Sequence, residues 1–161
     1  MKDLNPVDNY LHGSWEALGN GAPVLVALAQ LCSEQWVRHD ADTETAGQLS
    51  KPAQAILYAA RKRGTIEIRA VNSAFDAAAR LLAVYVEVDE DQTIAFRDAA
   101  KPAVTVRFLE GFRELCKHGL VLHHIYRDFS LTSEAFQIAS GLSREELETE
   151  LQQATEFGLH D

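Results

Sequence analysis

The chain has 161 residues and a formal net charge of −9, with 47% hydrophobic and 24% charged residues. Because acidic surface repels phosphate backbones, this charge disfavours avid, non-specific binding to nucleic acid. There is no apolar run of about 18 residues and no basic leader before the longest apolar run, so the sequence predicts a soluble, cytoplasmic protein that does not contact membranes.

Charge is unevenly distributed along the chain. Residues 50–70 carry five bases and one acid, whereas residues 1–49 carry two bases and seven acids and residues 130–161 carry one base and seven acids. We interpret Arg61, Lys62 and Arg63 first as cations that complement the negative C-terminal end of a helix. The alternative is that the basic stretch contacts phosphate or nucleic acid, with Arg61, Lys62, Arg63 and Arg69 as the candidate residues.

The N-terminal third is predicted to be helical. Residues 3–20 have apolar positions at roughly helical spacing and end in a turn at Gly19-Asn20-Gly21. Pro23 suits the first turn of a second helix that reaches about Trp36 or Val37, and polar residues 38–48 are predicted to form a loop. One face of this helix is expected to pack into the core through Leu25, Leu28, Ala29, Cys32 and Trp36.

A third helix is predicted after this loop. Ser50-Lys51-Pro52 is typical of a helix start, with the serine as N-cap and the proline in the first turn. Gly64 is expected to end the helix after its basic residues. The alternating, β-branched residues 65–71 then predict a short strand.

The next segment has two interpretations. We expect Asn72 or Ser73 to cap a helix that continues to about Val86, followed by one strand at 93–97. The apolar run at 84–88 is also compatible with a strand that pairs with 93–97 across an acidic turn, because short apolar runs cannot be assigned by period alone.

Capping signals dominate the C-terminal third. Lys101-Pro102 is predicted to open a helix that ends near Lys117, and Thr132 to cap a short helix closed at Ser140-Gly141. Ser143 and Glu146 have the spacing of a capping box, and Leu142 with Leu147 has the spacing of a hydrophobic staple. A further helix is therefore predicted to begin at Ser143.

Residues 130–159 resemble the second and third helices of the winged helix-turn-helix fold, through Leu131-Thr132, Ala139, Gly141-Leu142-Ser143, Leu147, Leu151 and Gly158-Leu159. The helix at 101–117, followed by Gly119-Leu120-Val121, is similar to the first helix and short strand of that fold. The resemblance implies a three-helix C-terminal part.

Two departures from that fold bear on function. In its DNA-binding members the second helix of the pair enters the major groove and usually carries Arg, Lys, Asn or Gln at its start. Here the chain ends where a wing would begin, and the helix carries Arg144 against Glu145, Glu146, Glu148 and Glu150. Since carboxylates oppose phosphate binding, we expect Arg144, Glu145, Glu148 and Glu150 to form a protein-contact face.

The sequence contains no recognisable catalytic, cofactor-binding or metal-binding motif. Four potential metal ligands lie within nine residues, Cys116, His118, His123 and His124, but zinc sites usually combine two separated pairs. Asp40, Asp42 and Glu44 lack the glycine and the final glutamate of a calcium loop. The two cysteines, Cys32 and Cys116, are expected to be buried and reduced.

These features predict an α+β, mainly helical fold. Residues 1–98 would form a helical part with one or two short strands and residues 99–161 a helix-turn-helix-like part, or the two would form one compact domain. The leading hypothesis is a non-catalytic regulatory or adaptor protein acting through protein contacts, including a homodimer. The alternatives are a nucleic-acid-binding regulator that uses the basic stretch with Arg107, Arg113 and Lys117, and an enzyme or small-ligand-binding protein whose pocket no motif reveals.

Overall fold

The computed structural model describes residues 23–38, 49–70, 81–98 and 100–157. Its helices are α1 (Pro23–Arg38), α2 (Lys51–Ala59), α3 (Pro102–Lys117), α4 (Ser133–Ser140) and α5 (Glu148–Gln152), with a 3-10 turn at Glu145–Leu147 before α5. Its strands are β1 (Thr65–Ala70), β2 (Leu82–Glu87), β3 (Thr93–Phe96), β4 (Val121–His123), β5 (Asp128–Leu131) and β6 (Thr155–Phe157).

The strands form one six-stranded sheet in the order β4-β5-β1-β2-β3-β6. Every neighbouring pair is antiparallel, and β1, β2 and β3, which precede residue 98, lie between β5 and β6, which follow it. Ile66 of β1 lies opposite Val86 of β2 on one side and Phe129 of β5 on the other. Residues far apart in sequence therefore meet at the centre of the sheet.

The main core lies between one face of this sheet and the helices. Ile66 and Ile68 of β1 are buried there with aromatic side chains of α3, notably Phe108 and Phe112. The residues of β1 and β2 that lie between these core-facing positions point to the opposite face of the sheet, where Tyr85 belongs to a second buried cluster. The period-2 pattern of β1 thus separates an apolar face from a mixed polar face.

A carboxylate of α3 holds the start of α2. The Ser50 hydroxyl accepts a hydrogen bond from the backbone N–H of Ala53 (3.4 Å), as a helix N-cap does. The Ser50 hydroxyl also donates to Glu114 Oε2, and the Ser50 backbone N–H donates to Glu114 Oε1 (3.1 Å). This pair of bonds links the cap of α2 to α3.

Several predicted elements are confirmed. The helices that begin at Pro23, after Ser50 and at Pro102 are present, as are strands at Thr65–Ala70 and Thr93–Phe96. Thr132 caps α4 by accepting a hydrogen bond from Ala135 N (3.2 Å). The expected features at 3–21 and 39–48, and the helix start at 72–73, lie outside the described residues.

The predicted helix-turn-helix, with its three-helix C-terminal part, is wrong. The β4–β5 hairpin separates α3 from α4 and joins the main sheet through β1. Ser143 starts no regular helix: the 3-10 turn follows Arg144, whose side chain makes no capping bond. α4 and α5 each pack against α2, and the chain then continues into β6, which pairs with β3.

Two further expectations are wrong. Residues 82–86 belong to strand β2 instead of a helix, since Val84 and Val86 pair with Phe96 and Ile94 of β3. Trp36 continues the stripe of α1 in sequence, yet its side chain is 57% exposed, whereas Leu28 and Cys32 are buried. The described residues also form a six-stranded sheet, where a mainly helical fold with a few short strands was predicted.

The buried cysteines give a test of the core. Cys32 and Cys116 are free thiols and both are buried. Burial, together with the neighbouring Cys32, raises the pKa of Cys116 well above its ordinary value of 9.0. Folding therefore favours the protonated thiol.

We expect this stabilisation to be complete below the unfolded-state pKa and to be lost as the pH rises through the higher folded-state pKa. Urea unfolding followed at several pH values should show the loss, and Cys116→Ala should remove that part of the pH dependence. Rapid labelling of both thiols in the folded protein at neutral pH would contradict the prediction.

Candidate protein-interaction surface

The predicted basic residues do not form one free cationic face. Arg61 and Arg63 lie in the turn beyond the end of α2, so they are not in its last helical turn. Arg63 pairs with Glu87 at the end of β2 (3.3 Å). Lys62 is exposed.

Arg69 is engaged on the mixed polar face of the sheet. Its Nη2 donates to Glu67 Oε2 (2.9 Å), and its guanidinium lies 4.7 Å from the centre of the Tyr85 ring. The bond to Glu67 raises the pKa of Arg69, and partial burial opposes that shift. Arg127 Nε lies 3.0 Å from Glu67 Oε1, so two guanidinium groups share one carboxylate, which competes with any phosphate for both of them.

The predicted acidic contact face is also modified by the fold. Glu150 is 7% exposed and lies 3.7 Å from Arg107, so it is not part of a free surface. Arg144 lies 3.6 Å from Glu148 in an exposed pair, and Glu145 is exposed. The segment therefore does not present an uninterrupted row of free carboxylates.

His123, the last residue of β4, and His124, which follows it, have structural partners. His123 Nε2 is 2.7 Å from Tyr126 O, and His124 Nε2 is 2.5 Å from Ser130 Oγ. Across the described ranges, no group of three His, Cys, Asp or Glu side chains could hold a metal ion.

Exposed apolar residues occur near the edge strand β4, on α1 and in the turn that follows β4. Trp36 is 57% exposed, Tyr126 46% and Ile125 43%. The Trp36 side chain, from the C-terminal half of α1, lines a cleft of about 280 Å³ with Leu122 of β4 and the adjacent His123 and His124. We call Trp36, Leu122, Ile125 and Tyr126 the β4 surface.

The hairpin that presents Ile125 and Tyr126 is braced from within. Tyr126 has a φ of 59°, a left-handed backbone conformation that residues other than glycine rarely adopt. The His123 ring hydrogen-bonds to the Tyr126 carbonyl and lies 5.0 Å from the Phe129 ring, which is buried. Backbone strain of this kind persists where surrounding contacts determine the conformation, and such sites are often functional.

Sequence reasoning missed this surface. The apolar spacing of α1 predicts that Trp36 faces the core, and no motif in the sequence marks Ile125-Tyr126. The available signal was a large apolar dipeptide directly before the charged Arg127-Asp128, since turns are usually polar.

No family model, curated protein or solved structure matches this chain. Among the helices that the structure describes, none has both the length and the apolar character needed to cross a membrane.

Proposed function

We propose that the protein is a non-catalytic regulatory or adaptor protein that acts through protein contacts made by the β4 surface. The observation that supports this most is the exposure of Trp36, Ile125 and Tyr126 beside a sheet edge. Trp and Tyr are enriched among the residues that dominate binding energy at protein interfaces. An edge strand also offers backbone groups for pairing with another chain.

We propose a second copy of this chain as the first occupant of the surface. A two-fold axis beside β4 would bring the same apolar residues of both copies together in a self-complementary contact. The net charge of −9 disfavours self-association at long range, but residues 121–127 contain no Asp or Glu. The hairpin part of the contact region therefore adds no carboxylate to the repulsion between the acidic surfaces.

Self-association gives a direct test. We expect sedimentation velocity to show reversible, concentration-dependent dimerisation with a Kd of roughly 1–100 µM, as for a small transient interface. Trp36→Gln and Tyr126→Asn should each weaken it at least about tenfold, because central aromatic residues commonly contribute more than 1.4 kcal/mol. Glutamine suits the helix and asparagine tolerates the left-handed backbone, so both variants should fold.

The matched control is Val106→Asn, which changes an exposed apolar residue of α3 that is not part of the β4 surface. Its dimerisation should equal that of the wild type. A wild-type chain that stays monomeric at the highest soluble concentration would overturn self-association, and equal loss in the control would overturn the assignment to the β4 surface.

A further inference from the structure

A second cleft lies at the opposite end of the sheet, beside β3, and two guanidinium groups line it. It encloses about 260 Å³, with Arg61 and Arg144 among its polar residues and Val88, Ile94, Leu151 and Ala154 among its apolar ones. Arg61 and Arg144 are 83 positions apart in sequence and converge because α4 and α5 both pack against α2. In the sequence they belong to different candidate sites, Arg61 to the basic stretch and Arg144 to the predicted protein-contact face.

The two arginines differ in how firmly they are held. Arg61 Nη1 donates to the Tyr58 carbonyl (2.9 Å), and the guanidinium lies 4.0 Å from the centre of the Tyr58 ring. A guanidinium has five N–H donors, so this arrangement orients Arg61 while leaving donors for a ligand. The Arg144 side chain is 68% exposed and lies 3.6 Å from Glu148, a weak pair that a bound anion can replace.

Nearby charges limit the kind of anion that fits. Asp89, Glu90 and Asp91 form the turn between β2 and β3, directly between the lining residues Val88 and Gln92. Together with Glu148, they repel a multiply charged phosphate more strongly than a single carboxylate. A planar carboxylate also matches the fork of donors on a guanidinium.

We propose that this cleft binds an organic monocarboxylate with an apolar tail. The carboxylate pairs with Arg61 and Arg144, and the tail lies on Val88, Ile94, Leu151 and Ala154. At about 25–30 Å³ for each non-hydrogen atom, the volume suits a ligand of roughly ten such atoms. This site is separate from the β4 surface, and its ligand does not depend on the proposed adaptor function.

Octanoate is the probe for this proposal. Titration into the full-length protein, followed by calorimetry and by backbone amide NMR shifts, should give a Kd of roughly 0.1–1 mM. The largest shifts should occur around Ile94 and Ala154. Arg61→Gln and Arg144→Gln should each weaken binding about tenfold, because each removes a charge-assisted hydrogen bond.

Chemical and protein controls separate charge from hydrophobicity. Butyrate should bind at least about tenfold more weakly, because it lacks four methylene groups that contact the apolar residues of the cleft in octanoate. Both 1-octanol and octyl phosphate should also bind more weakly than octanoate. Arg113→Gln, an exposed change on α3 outside the cleft, should leave the octanoate affinity unchanged. Binding of 1-octanol or octyl phosphate as tight as that of octanoate, or full affinity in both cleft variants, would overturn the proposal.

Discussion

Replacing Gly111 with alanine is expected to destabilise the protein by about 3 kcal/mol, although alanine is the better helix former. Gly111 lies within α3 where that helix crosses the start of α2. A Cβ atom placed there would lie 2.8 Å from the backbone nitrogen of Ala53 and 3.0 Å from Pro52 Cβ. Because the first of these atoms belongs to the backbone, rotation of a side chain cannot relieve the contact, and α2 must shift from α3 at a cost typical of overpacking.

The intrinsic helix propensity makes this result diagnostic. In an exposed helix interior, Gly→Ala would stabilise by about 1 kcal/mol, so a net loss has to come from the crossing. Urea unfolding followed by far-UV circular dichroism measures the change. Gly141→Ala is the matched control, since a Cβ there would meet only the Ile138 carbonyl at 3.6 Å. A Gly111→Ala variant as stable as the wild type would show that the two helices do not cross this closely.

Local signals predicted the starts of α1, α2, α3 and α4, although the capping signals at Ser143 start no regular helix. Ser50 and Thr132 cap their helices through hydrogen bonds to backbone groups three residues ahead, and Pro102 stands at the first position of α3. These interactions depend only on neighbours in sequence, so a short window of sequence contains the information.

The sheet could not be predicted in the same way. Its outer strands β4 and β6 have three residues each, too few for a period to be recognised. Their pairing depends on partners such as Leu131 and Ala95, which belong to other parts of the chain. The apolar run of β2 fits a helix or a buried strand equally well until β3 is known to lie beside it.

The helix-turn-helix prediction is wrong because its capping pattern is local, whereas the path of the chain is set by strand pairing between distant segments. Leu147 is fully buried, as a staple residue would be. Its burial, however, belongs to a tight turn that leads toward β6. Tertiary pairing overrides local helix signals when the segment is this short.

The candidate sites were the least predictable features. Trp36 lies four positions after the buried Cys32, so helical periodicity assigns it to the core, but α1 continues past the part of its surface that the fold covers. Arg61 and Arg144 share a cleft because of helix packing between distant segments. Exposure and convergence of this kind follow from tertiary structure, and composition does not reveal them.

Replacing Phe112 with alanine is expected to destabilise the protein by about 4 kcal/mol, the largest effect of any single substitution proposed. Phe112 is fully buried, and its ring meets that of Phe129 edge-on, with centroids 4.9 Å apart and an angle of 82° between the planes. The change removes a large apolar side chain and an aromatic pair, and it creates a cavity where α3 contacts the β4–β5 hairpin.

Urea unfolding measures this loss in the free energy of unfolding, provided that the m-value is unchanged. If the alanine variant does not fold, Phe112→Leu replaces it in the test, with an expected loss of about 1–2 kcal/mol. Phe136→Ala is the control, because that ring is 38% exposed and its removal should cost no more than about 1 kcal/mol. Equal losses for Phe112→Ala and Phe136→Ala would contradict the core described between α3 and the hairpin.

The same core supports the β4 surface. Because Phe129 also contacts His123, and His123 braces Tyr126, Phe112→Leu should weaken dimerisation as well as stability.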